Sequence, residues 1–252
     1  MIQKITDNKP FQLALYCLIG AFSLLLFLKN AWIAEDAFII LRTADQFIHG
    51  HGFRWNPQER AQAYTSPLWF LLIIASTFIS NALYVNVISL SLALHVSLLL
   101  VMARFIPTVW RWIAAVLLLT LSQGFFDFTA SGLEYPLVYA LLGSFVLLYL
   151  RNQYIKDRFW LALTAGLMLT TRHDLLMLIL PLLMHLAWQF HKTLTSKQQI
   201  GLACIFMAPL FCWTLFSLLY YGFPFPNTAY AKLSTPGVAF EERLRRGLLY
   251  VT

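Results

Sequence analysis

Apolar residues occupy long stretches of this chain, roughly 11–29, 67–80, 85–103, 110–123, 135–150, 159–171, 175–190 and 200–221. Most of these runs approach the ~20 residues that carry a helix across hydrocarbon. The run at 67–80 is doubtful, because its 14 positions fall short of that length. Between the runs, charge gathers in small clusters: Glu35-Asp36, Glu134 and Arg172-His173-Asp174. Charge at a membrane boundary is costly enough to suggest a role.

The stretch after the first run has a different period. In AFIILRTADQFI, Ala37, Ile40, Leu41, Ala44, Phe47 and Ile48 share one helical face, and Arg42, Asp45, Gln46 and His49 take the other. This pattern predicts an amphipathic helix lying on the membrane surface. Gly50-His51-Gly52 ends it, and a polar, aromatic stretch follows with turn signals at Asn56-Pro57 and Ser66-Pro67.

Composition supports the membrane reading. Of 252 residues, 60% are hydrophobic and 12% charged, and the mean hydropathy is +0.68. A soluble domain needs a more charged surface. The net charge of +7 follows from the enrichment of Lys and Arg in cytoplasmic loops and calls for no nucleic acid partner. Cys17, Cys204 and Cys212 lie inside apolar runs and suggest no disulfide framework.

The placement of the basic residues predicts topology. Lys4 and Lys9 precede the first run, and the basic connections hold Arg104/Arg111, Arg151/Lys156/Arg158 and Lys192/Lys197. If 67–80 lies at the interface without crossing, all of these share the cytoplasmic face. The expected fold is therefore an all-α polytopic membrane protein. It has about seven transmembrane helices, with interfacial amphipathic helices in a first outer loop at 30–84. The three charged clusters then meet on the extracytoplasmic face of the inner (plasma) membrane.

Each cluster admits two readings. Asp36 can cap the helix that follows, but a cap needs one acid, and the adjacent Glu35-Asp36 pair suits a general base or a cation site. Glu134 can close a capping box with Ser131. Alternatively, with Pro136 in the first helical turn, it lies just before the helix and faces a cavity. Arg172 can pair with Asp174 or bind an anion, since guanidinium suits phosphate geometry. His49-Gly50-His51 is a weak metal signal.

The motifs EDAFIILR, GHGFRWNPQERAQAYTSPLW, SGLE-x-PL, TRHD and YYG-x5-NTAYAK occur in that order. Together they resemble the GT-C superfamily of polyprenyl-phosphate-sugar-dependent glycosyltransferases, most closely its arabinofuranosyltransferase-like branch. The resemblance covers about residues 12–235. It implies a GT-C-like module over 1–235, with 236–252 beginning a further, incomplete outer-face segment. It also implies an inverting glycosyltransferase taking a polyprenyl-phosphate sugar donor and a glycan or protein acceptor. Asp36 would be the general base, and Glu35 would support it or a divalent cation, although no cofactor is required.

The substrate-binding residues implied by these motifs are Arg42, Tyr64, Thr65, Ser66, Glu134, Arg172, Asp174, Asn227 and Lys232, with Arg172 and Lys232 suited to the donor phosphate. The chain departs from the family pattern at His173-Asp174, where a Pro-acid pair is usual, and in its shorter length. A transporter or lipid-carrier flippase, or an inactive fragment, is the alternative. Transporters place ionisable groups near the bilayer midplane, whereas these lie at one boundary.

Overall fold

The computed structural model describes residues 9–151, 154–233, 241–242, 245 and 249. Among these the architecture is all-helical: α1 (Lys9–Lys29), α2 (Ala37–Ile48), α3 (Pro67–Thr77), α4 (Leu83–Phe105), α5 (Val109–Leu121), α6 (Gln123–Thr129), α7 (Tyr135–Arg151), α8 (Ile155–Thr171), α9 (Leu175–Thr193), α10 (Ser196–Tyr221) and α11 (Asn227–Leu233). Most of the segment expected at 236–252 lies outside the described residues.

Four helices, α1, α4, α9 and α10, are long and apolar enough to cross a membrane, and α5 with α6 makes a fifth if that bent pair is one span. Seven were expected. The difference has local causes. Ser122 stands in extended backbone (φ −79°, ψ 104°) and its side chain accepts from the Phe125 N–H, so it ends α5 and caps α6. The two pieces meet at 78°. Helices α7 and α8 have 17 residues each, or about 26 Å of rise, against a hydrocarbon core of ~30 Å.

The doubtful run at 67–80 forms the eleven-residue α3, about 16 Å long and too short to cross. One face of it packs into the molecule, while Leu71 and Ala75 on the other stay exposed. Trp69, Phe70, Ile73 and Ile74 are buried in a core with Ile40, Leu41 and Ala44 of α2, Val87 of α4, Leu137 of α7 and Trp213 of α10. Helix α2 presents the expected apolar face: Ala37, Ile40, Leu41 and Ala44 are buried, while Arg42 and Asp45 are exposed. A second core joins α7, α8 and α9 through Phe145, Leu161, Met168 and Ile179.

Helices α8 and α10 pack most intimately. A Cβ at Gly166 would come within 2.2 Å of the Phe206 carbonyl oxygen, so only glycine lets these backbones approach, as small residues do between membrane helices. Helix α10 starts at a capping box, with Thr195 accepting from the Gln198 N–H and the Gln198 side chain returning to the Thr195 N–H. It stops at Gly222, whose φ of 82° favours glycine. The connection that follows carries α11.

Candidate functional site

The stretch after α1 is tied to the turn before α7 by backbone hydrogen bonds. Trp32 N–H donates to the Ala130 carbonyl and Ala34 N–H to that of Ser131, each at 2.9 Å. Gly132 makes this approach possible. Its φ is +77°, a Cβ there would lie 3.2 Å from Ile33 Cδ1, and its carbonyl accepts from Trp69 Nε1 at 3.2 Å. The sequence clusters at 35–36 and at 134 are brought together by this pairing.

Neither carboxylate caps a helix. Asp36 has helical backbone angles and its side chain makes no capping bond. Ser131 Oγ donates to the Phe128 carbonyl, α7 begins at Tyr135 with Pro136 in its first turn, and Glu134 stands just before it. Of the two sequence readings of Glu134, the structure matches the one that leaves its side chain free for a cavity.

Helix α8 ends as Arg172 turns to extended backbone (φ −151°, ψ 121°), and its guanidinium is held from two sides. Nη1 donates to Glu134 Oε1 at 3.1 Å and to Tyr135 Oη at 3.2 Å, while Nε and Nη2 fork onto the Asp174 carboxylate at 3.0 and 2.8 Å. The guanidinium carbon also sits 5.3 Å from the centre of the Tyr135 ring. The Asp174 hydrogen bond raises the Arg172 pKa and holds the Asp174 carboxyl below its usual range. The side chains of Glu134 and Asp174 are 10% and 61% exposed. One partner is thus embedded and the other open to solvent.

These groups face a cavity of about 320 Å³ lined by Asp36, Ile39, Tyr64, Thr65, Glu134, Tyr135, Arg172 and Thr228, among others. Its lining combines apolar walls with a few convergent polar groups, as expected of a small-molecule site. A larger cavity of about 370 Å³ between α8, α9 and α10 is almost wholly apolar and contains none of the charged clusters.

Tyr64 is fully buried, and its hydroxyl lies 3.0 Å from that of Tyr221, which donates to the Phe53 carbonyl at 2.8 Å. Burial, and secondarily Tyr221, raises the Tyr64 pKa. Gln62, also buried, accepts from Ser217 Oγ at 3.0 Å, donates to the Tyr64 carbonyl at 3.2 Å and takes the Asn227 N–H on its own carbonyl at 3.0 Å. This network fastens the first loop to α10 and α11.

Several expected site residues sit elsewhere. Glu35 is exposed and does not line the cavity, so the Glu35-Asp36 pair offers it one carboxylate. Among the described residues no group of three or more His, Cys, Asp or Glu side chains could hold a metal ion. Arg42 turns to its own loop, donating to the Trp55 carbonyl and Asn56 Oδ1, with its guanidinium over the Trp55 ring. Ser66 is buried and outside the cavity lining. Asn227 lies in a small recess with Phe223 and Tyr230, while its neighbour Thr228 reaches the main cavity. The side chain of Lys232 lies outside the described residues.

Tyr135, Thr228 and Gln62 were not anticipated. Tyr135 adjoins Glu134, and the aromatic content of its surroundings hid it. Gln62 had a usable signal, as an amide in a segment that becomes buried.

No protein-family profile matches the chain, and no solved structure matches it. The chain is 28% identical over 249 residues to a protein of Mycobacterium tuberculosis named terminal beta-(1->2)-arabinofuranosyltransferase. The alignment covers 89% of this chain and 38% of that relative, so the chain spans well under half of the relative's length. This similarity supports glycosyl transfer in general.

Proposed function

We propose that the chain acts as an inverting glycosyltransferase, moving a sugar from a polyprenyl-phosphate carrier to a hydroxyl of a glycan or protein acceptor. The reaction would take place on the extracytoplasmic face of the plasma membrane. Arabinofuranose is the first sugar to test, because the relative's name specifies it. The observation that carries the reading is the meeting of Asp36, Glu134 and Arg172, from three separate segments, around one cavity at the end of an apolar bundle. In this reading α7 and α8 also cross, tilted little in a locally thinned bilayer, giving seven spans with α5 and α6 counted as one.

Asp36 accepts the proton of the acceptor hydroxyl as its oxygen attacks the anomeric carbon. The bond from that carbon to the phosphate oxygen breaks, and the electron pair leaves with the lipid phosphate. The phosphate is already a good leaving group, so base assistance and charge neutralisation suffice. Arg172 supplies the neutralisation. Its Glu134 and Tyr135 contacts fix the guanidinium from the embedded side, and the exposed Asp174 is the anion that a donor phosphate displaces from Nε and Nη2. Lys232 is a second phosphate contact in this scheme. No step is assigned to a metal ion.

The test is transfer from a labelled polyprenyl-phosphate sugar in membranes carrying the wild-type chain or Asp36→Asn. Loss of transfer with Asp36→Asn is expected. Full transfer by that variant would remove Asp36 from the chemistry.

A further inference from the structure

Away from the charged clusters, the end of the bundle where α8 begins, α9 ends and α10 begins has its own construction. Leu161 and Ala162 of α8, Leu186 and Phe190 of α9, and Leu202 and Phe206 of α10 line the apolar cavity of about 370 Å³. It exists because α8 and α10 are drawn together at Gly166 and Phe206, while α9 touches both only sparingly along its length. The α9 wall therefore stands off below that crossing.

Basic residues stand at the helix ends beside the cavity. Arg158 lies one turn before Ala162, on the same face of α8. Its guanidinium carbon sits 5.2 Å from the centre of the Phe190 ring, which is itself part of the cavity wall. Its Nε is buried and has no hydrogen-bond partner among the described residues. A buried guanidinium N–H without an acceptor is costly, and its planar fork matches a phosphate. Arg151, Lys156, Lys192 and Lys197 cluster in the neighbouring helix ends, with Asp157 the acid among them. The polar group inside the cavity lining, Gln199, is engaged with the Leu194 carbonyl at 3.0 Å.

We propose that this crevice is a binding site for an anionic phospholipid, its acyl chain in the cavity and its headgroup phosphate on Arg158. Two features select this occupant. The cavity is apolar and walled by α9 and α10, both long and apolar enough to cross a membrane, which admits an acyl chain. The cation with an unpaired donor, Arg158, stands beside the Phe190 wall among the basic helix ends, where an anionic headgroup of that same lipid would lie. The site is separate from the proposed donor cavity. Ala162 lies nine residues before Thr171, the last residue of α8 and the neighbour of Arg172, about 14 Å of rise.

The test uses the purified full chain in detergent, with phosphatidylglycerol and phosphatidylcholine of matched acyl chains added separately. Retention is read by native mass spectrometry and stabilisation by thermal shift. Wild-type protein should retain and be stabilised by phosphatidylglycerol over phosphatidylcholine, and raised salt should shrink that preference. Arg158→Gln should reduce the preference about fivefold, the effect of one basic group near an anionic headgroup. Ala203→Phe, which fills the cavity, should weaken both lipids. Equal retention of the two lipids by the wild type would overturn the proposal. An undiminished preference in Arg158→Gln would do the same. If Arg158→Gln does not fold, the salt dependence of the wild type decides, and a salt-independent preference counts against the site.

Discussion

Two carboxylates compete for Arg172, and the structure ranks them in a way that bond counting does not. Asp174 makes two hydrogen bonds, at 2.8 and 3.0 Å, and Glu134 makes one, at 3.1 Å. Asp174 is also the principal cause of the raised Arg172 pKa. By geometry alone Asp174 is the stronger partner. Burial reverses the order for stability, because the Asp174 side chain is 61% exposed and that of Glu134 10%.

An exposed pair contributes about 0–1 kcal/mol after screening and side-chain entropy. An embedded hydrogen bond to a charged group is worth about 1.5–3 kcal/mol, and its loss leaves a donor without its acceptor. Glu134→Ala should therefore cost about 2 kcal/mol and Asp174→Ala at most about 1 kcal/mol. For a chain of this size each kcal/mol moves the midpoint by roughly 2–4 °C. Apparent melting temperatures in one detergent, with both variants beside the wild type, should show a drop for Glu134→Ala about twice that for Asp174→Ala. An equal or larger drop for Asp174→Ala would refute the ranking, and with it the idea that Asp174 is the partner free to yield to a phosphate.

Other expectations can be read in the same preparations. The Asp174 carboxyl is held below its usual range by Arg172, so its contribution to stability is present above its unfolded pKa of about 3.9 and lost as pH falls through the lower folded value. A melting series from pH 6 downward should show a loss below about pH 4 that Asp174→Asn diminishes. Gly166→Ala drives a methyl group into the Phe206 carbonyl and should cost about 1–3 kcal/mol by overpacking, seen as lower yield of folded protein and a lower melting temperature. Tyr64→Phe removes the hydroxyl that meets Tyr221 and should cost about 1 kcal/mol, with Tyr221 still anchored on the Phe53 carbonyl.

Much of this arrangement was legible in the residues. The period of Ala37, Ile40, Leu41 and Ala44 located α2 and its buried face, because an isolated amphipathic helix has one dominant periodicity. The shortness of the run at 67–80 and the placement of the basic residues indicated a helix that does not cross, but its uniformly apolar surface concealed which face of α3 would pack with α2, α4, α7 and α10. The end of α5 falls close to the end of the run at 110–123, but α6 was missed, since Gln123–Thr129 starts where that run ends and mixes Phe125, Phe126 and Phe128 with polar residues. The clusters at Asp36, Glu134 and Arg172 stood out because charge is rare in this chain. That Asp36 would line one cavity with the Glu134–Arg172 pair was not legible, because the Trp32 and Ala34 backbone bonds and Gly132, which join their segments, have no pattern of their own. Arg42 shows what a family motif leaves unsaid about local contacts. It belongs to the EDAFIILR motif, and its hydrogen bonds in the structure go to Trp55 and Asn56 of the following loop.

In the proposed reaction the cavity of Asp36, Glu134 and Arg172 breaks the bond between a lipid phosphate and a sugar. The most direct measurement supplies proteoliposomes of the chain with labelled polyprenyl-phosphate sugars, arabinofuranose among them, and an acceptor glycan, and follows both free polyprenyl phosphate and labelled acceptor. Release of the carrier phosphate together with labelled acceptor, abolished in Asp36→Asn, is the predicted result. Movement of intact donor across the bilayer without release, or release that is unchanged in Asp36→Asn, would rule out this chemistry.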